Sequence, residues 1–385
     1  MRQGVEWTQA RSRAVNILRS WELDEVEAIL SKIKRPSPDY CLFKSAEIEP
    51  TRLPPNPEDR NALQKWWPSL WRTRERWIAP SRELIEQSAK EGLALCVDEN
   101  GTWSLLSEGY VALSHVWVEG LQRDERYDGV EHTKISKVFE LLHRAGLQSK
   151  WIWTDVLVIP GGGNPTSSLE DELLTIDLIN SMPTVYGRAE AVLIIDAVVV
   201  QVHSTDPRDI AVALCVGRWA TRVWTFQEIK LANRAVIVTA TGGIEFSDMV
   251  NHLKELGELD RPRYHRLYQW AAIMAKSDTH RLTLRDLVSA CGDRSSGFDI
   301  DYARAFFPVL GLTWESGMTR EQGMERIYRA YSKDAAVIAP FAGSPRMKRY
   351  PAWAPSYLRG LEGVGHHDLQ SEERGLRGEW HVLKI

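Results

Sequence analysis

The 385-residue chain is 43% hydrophobic and 26% charged, a composition that excludes wholesale disorder and leaves room for two or three domains around a sizeable core. Its formal net charge of −4 argues against nucleic acid as a bulk partner, because affinity for a phosphate backbone comes from excess Lys and Arg. The four cysteines are dispersed without a Cys-x-x-Cys pair, so neither a zinc site nor a disulfide framework is indicated, which suits a reducing cytoplasm.

Arg2, Glu6, Arg11 and Arg13 come before any apolar stretch, which is not the pattern of a secretory signal, and the longest apolar run, Ala191 to Val202, is interrupted by Asp196 and too short to cross a bilayer. From Glu6 to Lys34, apolar residues such as Trp7, Leu18, Trp21, Ile29 and Ile33 recur at helical intervals until Pro36 and Pro38. Pro50 to Pro57 holds four prolines in eight positions and reads as a stiff arm. A helix from Glu58 to Trp77 follows, rich in Trp and Arg; its indoles are expected to pack or to bind a partner protein. Residues 1–105 are therefore read as a helical accessory region.

Between Tyr110 and Thr241 strand and helix patterns alternate, which predicts an α/β domain over 106–245 with a mainly parallel sheet flanked by helices. The strands are Tyr110–Ser114, Trp151–Val158, Ala191–Val200 and Ala235–Thr239. The connecting helices are Lys134–Ala145, Glu170–Met182, Pro207–Val216 and Thr225–Leu231. Trp153, Leu193, Ile195 and Trp224 are expected in the core. Residues 246–385 read as mainly helical.

Two aromatic segments carry the candidate chemistry. In YVALSHVW, Ser114, His115 and Trp117 fall where a buried strand gives way to a loop, the usual ligand position in an α/β sheet. In RWATRVWTFQE, Trp224 and Glu228 are four residues apart and share one helical face. Asp155 sits inside an apolar run, and a carboxylate buried there needs a partner, for which Arg222 is a candidate. Glu228 has a plain structural alternative as a helix N-terminal acid. PGGGNPTSS, from Pro160, lacks the Gly-Lys-Ser/Thr ending of a P-loop and reads as a flexible loop. His366, His367 and Asp368 read as a solvated tail rather than metal ligands.

These segments, with WIWTDVLVIP and INSMPTVYGRAEAVLIID between them, resemble the heterokaryon-incompatibility (HET) domain of filamentous fungi. The matching residues are Leu113, Ser114 and Trp117; Trp153 and Asp155; Met182, Tyr186 and Ala189; and Arg222, Trp224, Thr225, Gln227 and Glu228. CGDRSSGFDIDYARAFFPVLGL and PAWAPSYL resemble the family's downstream segments, so the resemblance covers Tyr110 to Leu358. The chain departs from the family at His115, at Val118, and at Val158 to Gly161, which replace the family's Cys-Ile-Asn-Gln. The order is also similar to Toll/interleukin-receptor (TIR) domains, in whose enzymatic members a Glu after Trp-Cys cleaves nicotinamide from NAD; that Glu is Glu228 here, with Thr225 in place of the Cys. The resemblance thus implies a flavodoxin-like strand order, a cytoplasmic role in nonself recognition and regulated cell death, and NAD as a substrate rather than a cofactor. It implies Glu228 as the catalytic group, and Ser114, His115, Trp117, Trp224 and Asp155 as binding groups. No metal, membrane or nucleic-acid partner is expected. The alternative is a non-enzymatic module acting by self-association or by binding another protein.

Overall fold

Apolar runs bounded by turns build the central sheet. The computed structural model describes residues 13–31, 42–43, 77–123, 129–160, 168–275, 282–292, 294–332, 345–348, 351–358, 370–372 and 375–377. The chain divides into a sheet unit, 34–204 with 233–244, and a helical unit, 1–33 with 205–232 and 245–385.

The sheet unit contains a seven-stranded mixed sheet flanked by helices. Its strands are β1 (Ala94–Val97), β2 (Trp103–Leu106), β3 (Val111–Ser114), β4 (Ile152–Trp153), β5 (Ala191–Ile194), β6 (Ala235–Val238) and β7 (Gly243–Glu245), arranged in the order β2-β1-β4-β3-β5-β6-β7. β4, β3, β5 and β6 are successively parallel, whereas β1 is antiparallel to both β2 and β4. Three of the segments expected as strands, those starting near Tyr110, Trp151 and Ala191, are thus neighbours in one sheet.

Alternation of side chains across the strands makes two buried faces. Val111, Leu113, Leu193, Val236 and Val238 join Ile135, Val138, Phe139 and Leu142 of helix His132–Arg144 in one core cluster. Helix Leu169–Arg188 supplies further partners. Its Tyr186 meets Trp153 edge to face at 5.2 Å and donates its hydroxyl to Leu113 O, and Tyr110 donates its own to Val185 O at 2.6 Å. Trp153, Leu193 and Ile195 are buried as expected.

Several elements differ from the sequence reading. The strand expected over Trp151–Val158 ends at Trp153, because Asp155 turns its carboxylate onto the Val156 N–H and begins a helical turn, Asp155–Val158. The strand expected to Val200 ends at Ile194 for the same reason: Asp196 accepts the N–H groups of Val198 and Val199. The helix expected to stop at Met182 continues to Arg188 with Pro183 inside it; buried Val185 and Tyr186 outweigh the one helical hydrogen bond that proline forgoes. β1 and β2 come from a segment read as helical. Their turn is closed by Asp98, which accepts from Asn100 and Thr102 N–H, and by Gly101 at φ 81°.

In the helical unit the helices are Leu23–Ser31, Pro207–Val216, Val223–Leu231, Phe246–Leu259, Arg261–Met274, Leu284–Cys291 and Arg320–Ala330, with shorter turns between. Helix Pro207–Val216 has the limits expected and begins with Pro207 at N1 behind an Asp206 cap. Its last carbonyls receive buried Arg13, which donates to Cys215 O at 2.6 and 2.8 Å and to Gly217 O at 2.8 Å. The Pro50–Pro57 arm, the Glu58 helix up to residue 76, residues 161–167 of the Gly-rich loop, and the His366–Asp368 group lie outside the described residues.

Candidate functional site

β3 and β4 run parallel with Ala112 opposite Trp153, so Ser114 and Asp155 each stand two residues beyond a paired position on adjacent strands. This is the carboxyl edge of the parallel strands, where open α/β sheets place ligands. Ser114 itself completes the strand: it pairs with Ile194, its carbonyl accepts the Ile195 N–H at 2.9 Å, and its side chain is buried.

The next residues converge. After β3 the chain forms a 3-10 turn, Trp117–Glu119, closed by Gly120 at φ 100°. After β4, extended Thr154 leads into the turn that begins with Asp155. Trp117 donates its indole N–H to Asp155 Oδ2 at 3.1 Å. Asp155 Oδ1 accepts the Val156 N–H at 2.8 Å and lies 3.4 Å from Thr154 Oγ1. His115 Nε2 lies 3.2 Å from Thr154 Oγ1 and 3.7 Å from Asp155 Oδ1. With the Thr154 hydroxyl donating to Asp155, the Thr154 oxygen is left to accept, which assigns the proton of His115 to Nε2.

Exposure is graded across this cluster. The His115 side chain is 1% exposed and that of Asp155 17%, while Trp117 is half-buried against the sheet core. The imidazole and the Thr154 hydroxyl therefore form a buried backing, and the carboxylate and indole form the accessible front. A partly exposed carboxylate beside a half-buried indole can accept hydroxyl hydrogen bonds and offer aromatic surface to a planar ring. Asp155 takes these partners from its own unit, whereas Arg222, the partner considered from sequence, belongs to the helical unit.

Two acids that sequence reasoning missed shape the neighbouring edge. Glu119 Oε2 accepts the Ala197 N–H at 2.9 Å, tying the loop after β3 to the loop after β5. Asp196 holds the same loop through the N–H groups of Val198 and Val199. The only sequence signal was an acid within a few residues of each strand end.

Trp224 and Glu228 lie on helix Val223–Leu231 of the helical unit. Glu228 is the sixth residue of that helix, so it is not an acid of the first turn and gains little from the positive helix end. It is buried. Trp224 is half-buried rather than fully so, with the Arg304 guanidinium 5.6 Å from its ring centre. The helix start is fixed by Arg294, whose buried guanidinium donates to Arg222 O at 2.7 Å, to Thr225 Oγ1 at 2.8 Å and to Ala290 O at 2.8 Å. The same cation faces the rings of Trp219 and Phe226. Near the far end, Lys230 donates to Ala275 O at 2.7 Å, and burial pushes its pKa down.

The structure thus brings His115, Trp117 and Asp155 into direct contact, and carries Trp224 and Glu228 on one helix of the other unit. No protein-family model, curated protein or solved structure matches this chain. Among the described residues, no group of three His, Cys, Asp or Glu could hold a metal ion, and no helix is long and apolar enough to cross a membrane.

Proposed function

We propose that this chain is a HET-type protein acting in nonself recognition and regulated cell death, and that it hydrolyses NAD through a TIR-like α/β domain. The observation that carries the reading is the Trp117–Asp155–His115 cluster at the carboxyl edge of the parallel strands. The spatial order of the four parallel strands, second-first-third-fourth in chain order, supports the same reading. Further support comes from the helical unit, where the Arg-x-Trp-Thr segment and the Cys-Gly-Asp-Arg segment, both part of the HET resemblance, meet through Arg294.

The chemistry suits a carboxylate. Breaking the bond between ribose and nicotinamide develops positive charge on the sugar, nicotinamide departs as a neutral leaving group, and water completes ADP-ribose. A carboxylate stabilises the cationic sugar by electrostatics. The resemblance assigns this role to Glu228, and the geometry of the sheet unit offers Asp155 for binding, with Ser114, His115 and Trp117 beside it. The two assignments are separate and are tested by separate variants.

A second reading has its own observation. Ser114 and His115 are buried, which favours a non-enzymatic module that works by self-association or partner binding. Concentrated protein incubated with NAD, with free nicotinamide followed over time, decides between them. Release that Glu228→Gln abolishes supports hydrolysis. Cell death without any release supports the module.

A further inference from the structure

We propose that Asp155 and Trp117 form a ribonucleoside subsite that requires a free ribose cis-diol and rejects a 2′-phosphate. The inference deepens the NAD reading and rests on its premise that the sheet unit binds a nucleotide. It starts from position. The four parallel strands change direction of winding at β3, the first of them, which has β4 on one side and β5 on the other. In dinucleotide-binding α/β sheets the nucleotide lays its phosphates over the loop after the first strand and its ribose beside an acid at the end of the adjacent second strand. The residue at the end of that second strand is Asp155.

Its carboxylate is prepared for such a role. The Val156 N–H at 2.8 Å and the Thr154 hydroxyl at 3.4 Å both donate to Oδ1 and the Trp117 indole donates to Oδ2, so the group is fixed in orientation; Oδ2 keeps an acceptor position, and the long Thr154 bond on Oδ1 is the one a ligand donor can replace. It also reaches solvent, with 17% of the side chain exposed. A vicinal diol offers two donors at a spacing that suits the two oxygens of one carboxylate. Trp117 bonds to the same carboxylate and is only half-buried against the sheet core, and its indole is assigned the base attached to that ribose. A phosphate on the 2′ oxygen replaces a donor with two negative charges against a third, an arrangement that excludes the ligand rather than weakening one contact.

The test is calorimetric titration of the full chain with AMP, 2′-deoxy-AMP and adenosine 2′,5′-bisphosphate. AMP should bind, the deoxy compound about tenfold more weakly, since one hydrogen bond to a charged acceptor is lost, and the bisphosphate more weakly still. Asp155→Asn keeps the shape, removes the charge and supplies an N–H donor, so it should bring the bisphosphate to within a few-fold of AMP. Asp155→Ala should bind AMP and the deoxy compound alike, and Trp117→Leu should weaken both by a similar factor. No AMP binding, equal binding of AMP and its deoxy analogue, or a bisphosphate that binds as tightly as AMP overturns the inference. Nicotinamide release without this discrimination leaves the hydrolase reading intact and removes the subsite. Discrimination without release does the reverse.

Discussion

Trp117 and Asp155 are joined by an indole N–H to carboxylate bond of 3.1 Å that ties the loop after β3 to the turn after β4. Trp117→Phe keeps most of the ring and removes the donor. It should lower stability by about 1 kcal/mol, the usual worth of one such bond at a partly exposed position, read as a shift in the urea midpoint at unchanged slope. A midpoint equal to that of the unmodified protein would show that the bond holds nothing in place.

Trp153 is a larger contribution. It is 3% exposed and meets Tyr186 edge to face. Trp153→Ala should cost about 3–5 kcal/mol, and an unchanged melting temperature would contradict its place in the core.

Arg294 holds two carbonyls and a hydroxyl from inside the helical unit. Arg294→Met should cost about 3 kcal/mol, because buried acceptors lose their donors. Arg294→Lys restores the charge without the planar fork and should recover little of that loss. Full recovery by Lys in a denaturant titration would mean that charge alone matters there.

Alkaline pH should destabilise the sheet unit. Burial pushes the Cys96 thiol above its ordinary value of 9.0 and the Tyr110 phenol above 10.0. The unfolded chain therefore loses these protons first, and the stability present below the ordinary values drains away as pH rises through them. Cys96→Ala should flatten the fall in stability between about pH 9 and 10, where Tyr110 has yet to contribute fully. A stability profile with the same slope in both proteins would count against this assignment.

Glu228→Gln keeps the shape of the side chain and removes its charge. If NAD is the substrate, nicotinamide release should fall about a hundredfold or more while the melting temperature stays within a few degrees. A variant that folds normally and releases nicotinamide as before would remove Glu228 from the mechanism.

The parts of the fold legible in sequence were those where local pattern and tertiary role agree. Pro207–Val216 follows an Asp-Pro start, is apolar from Ile210 to Val216 before Gly217, and is a helix over Pro207–Val216. WIWTDVLVIP was illegible because short apolar runs on either side of Thr154 and Asp155 read equally as strand or helix, and only the hydrogen bond from Val156 to Asp155 decides where one becomes the other. β1 and β2 were hidden by their shortness and by the partner they need, since an isolated hairpin of four-residue strands has little stability without β4 beside it. For the site, His115 and Trp117 announced themselves as polar and aromatic residues after a strand, and Asp155 as a carboxylate inside an apolar run. Thr154 and Glu119 did not. Their partners are an imidazole 39 positions away and a backbone N–H 78 positions away, and no spacing displays either.

The Arg13 guanidinium sits on the carbonyls of Cys215 and Gly217, more than two hundred residues further along. During synthesis the N-terminal segment therefore leaves the ribosome without its binding place, and at about 5–20 residues per second it waits roughly ten seconds or longer for that place to exist. In the interval the nearly continuous stretch 34–204 emerges, lacking only 233–244 to complete its own unit. The helical unit, assembled from three separate pieces of chain, can close only after the last piece appears, so the segment that carries Arg13 is among the last parts to be locked in place.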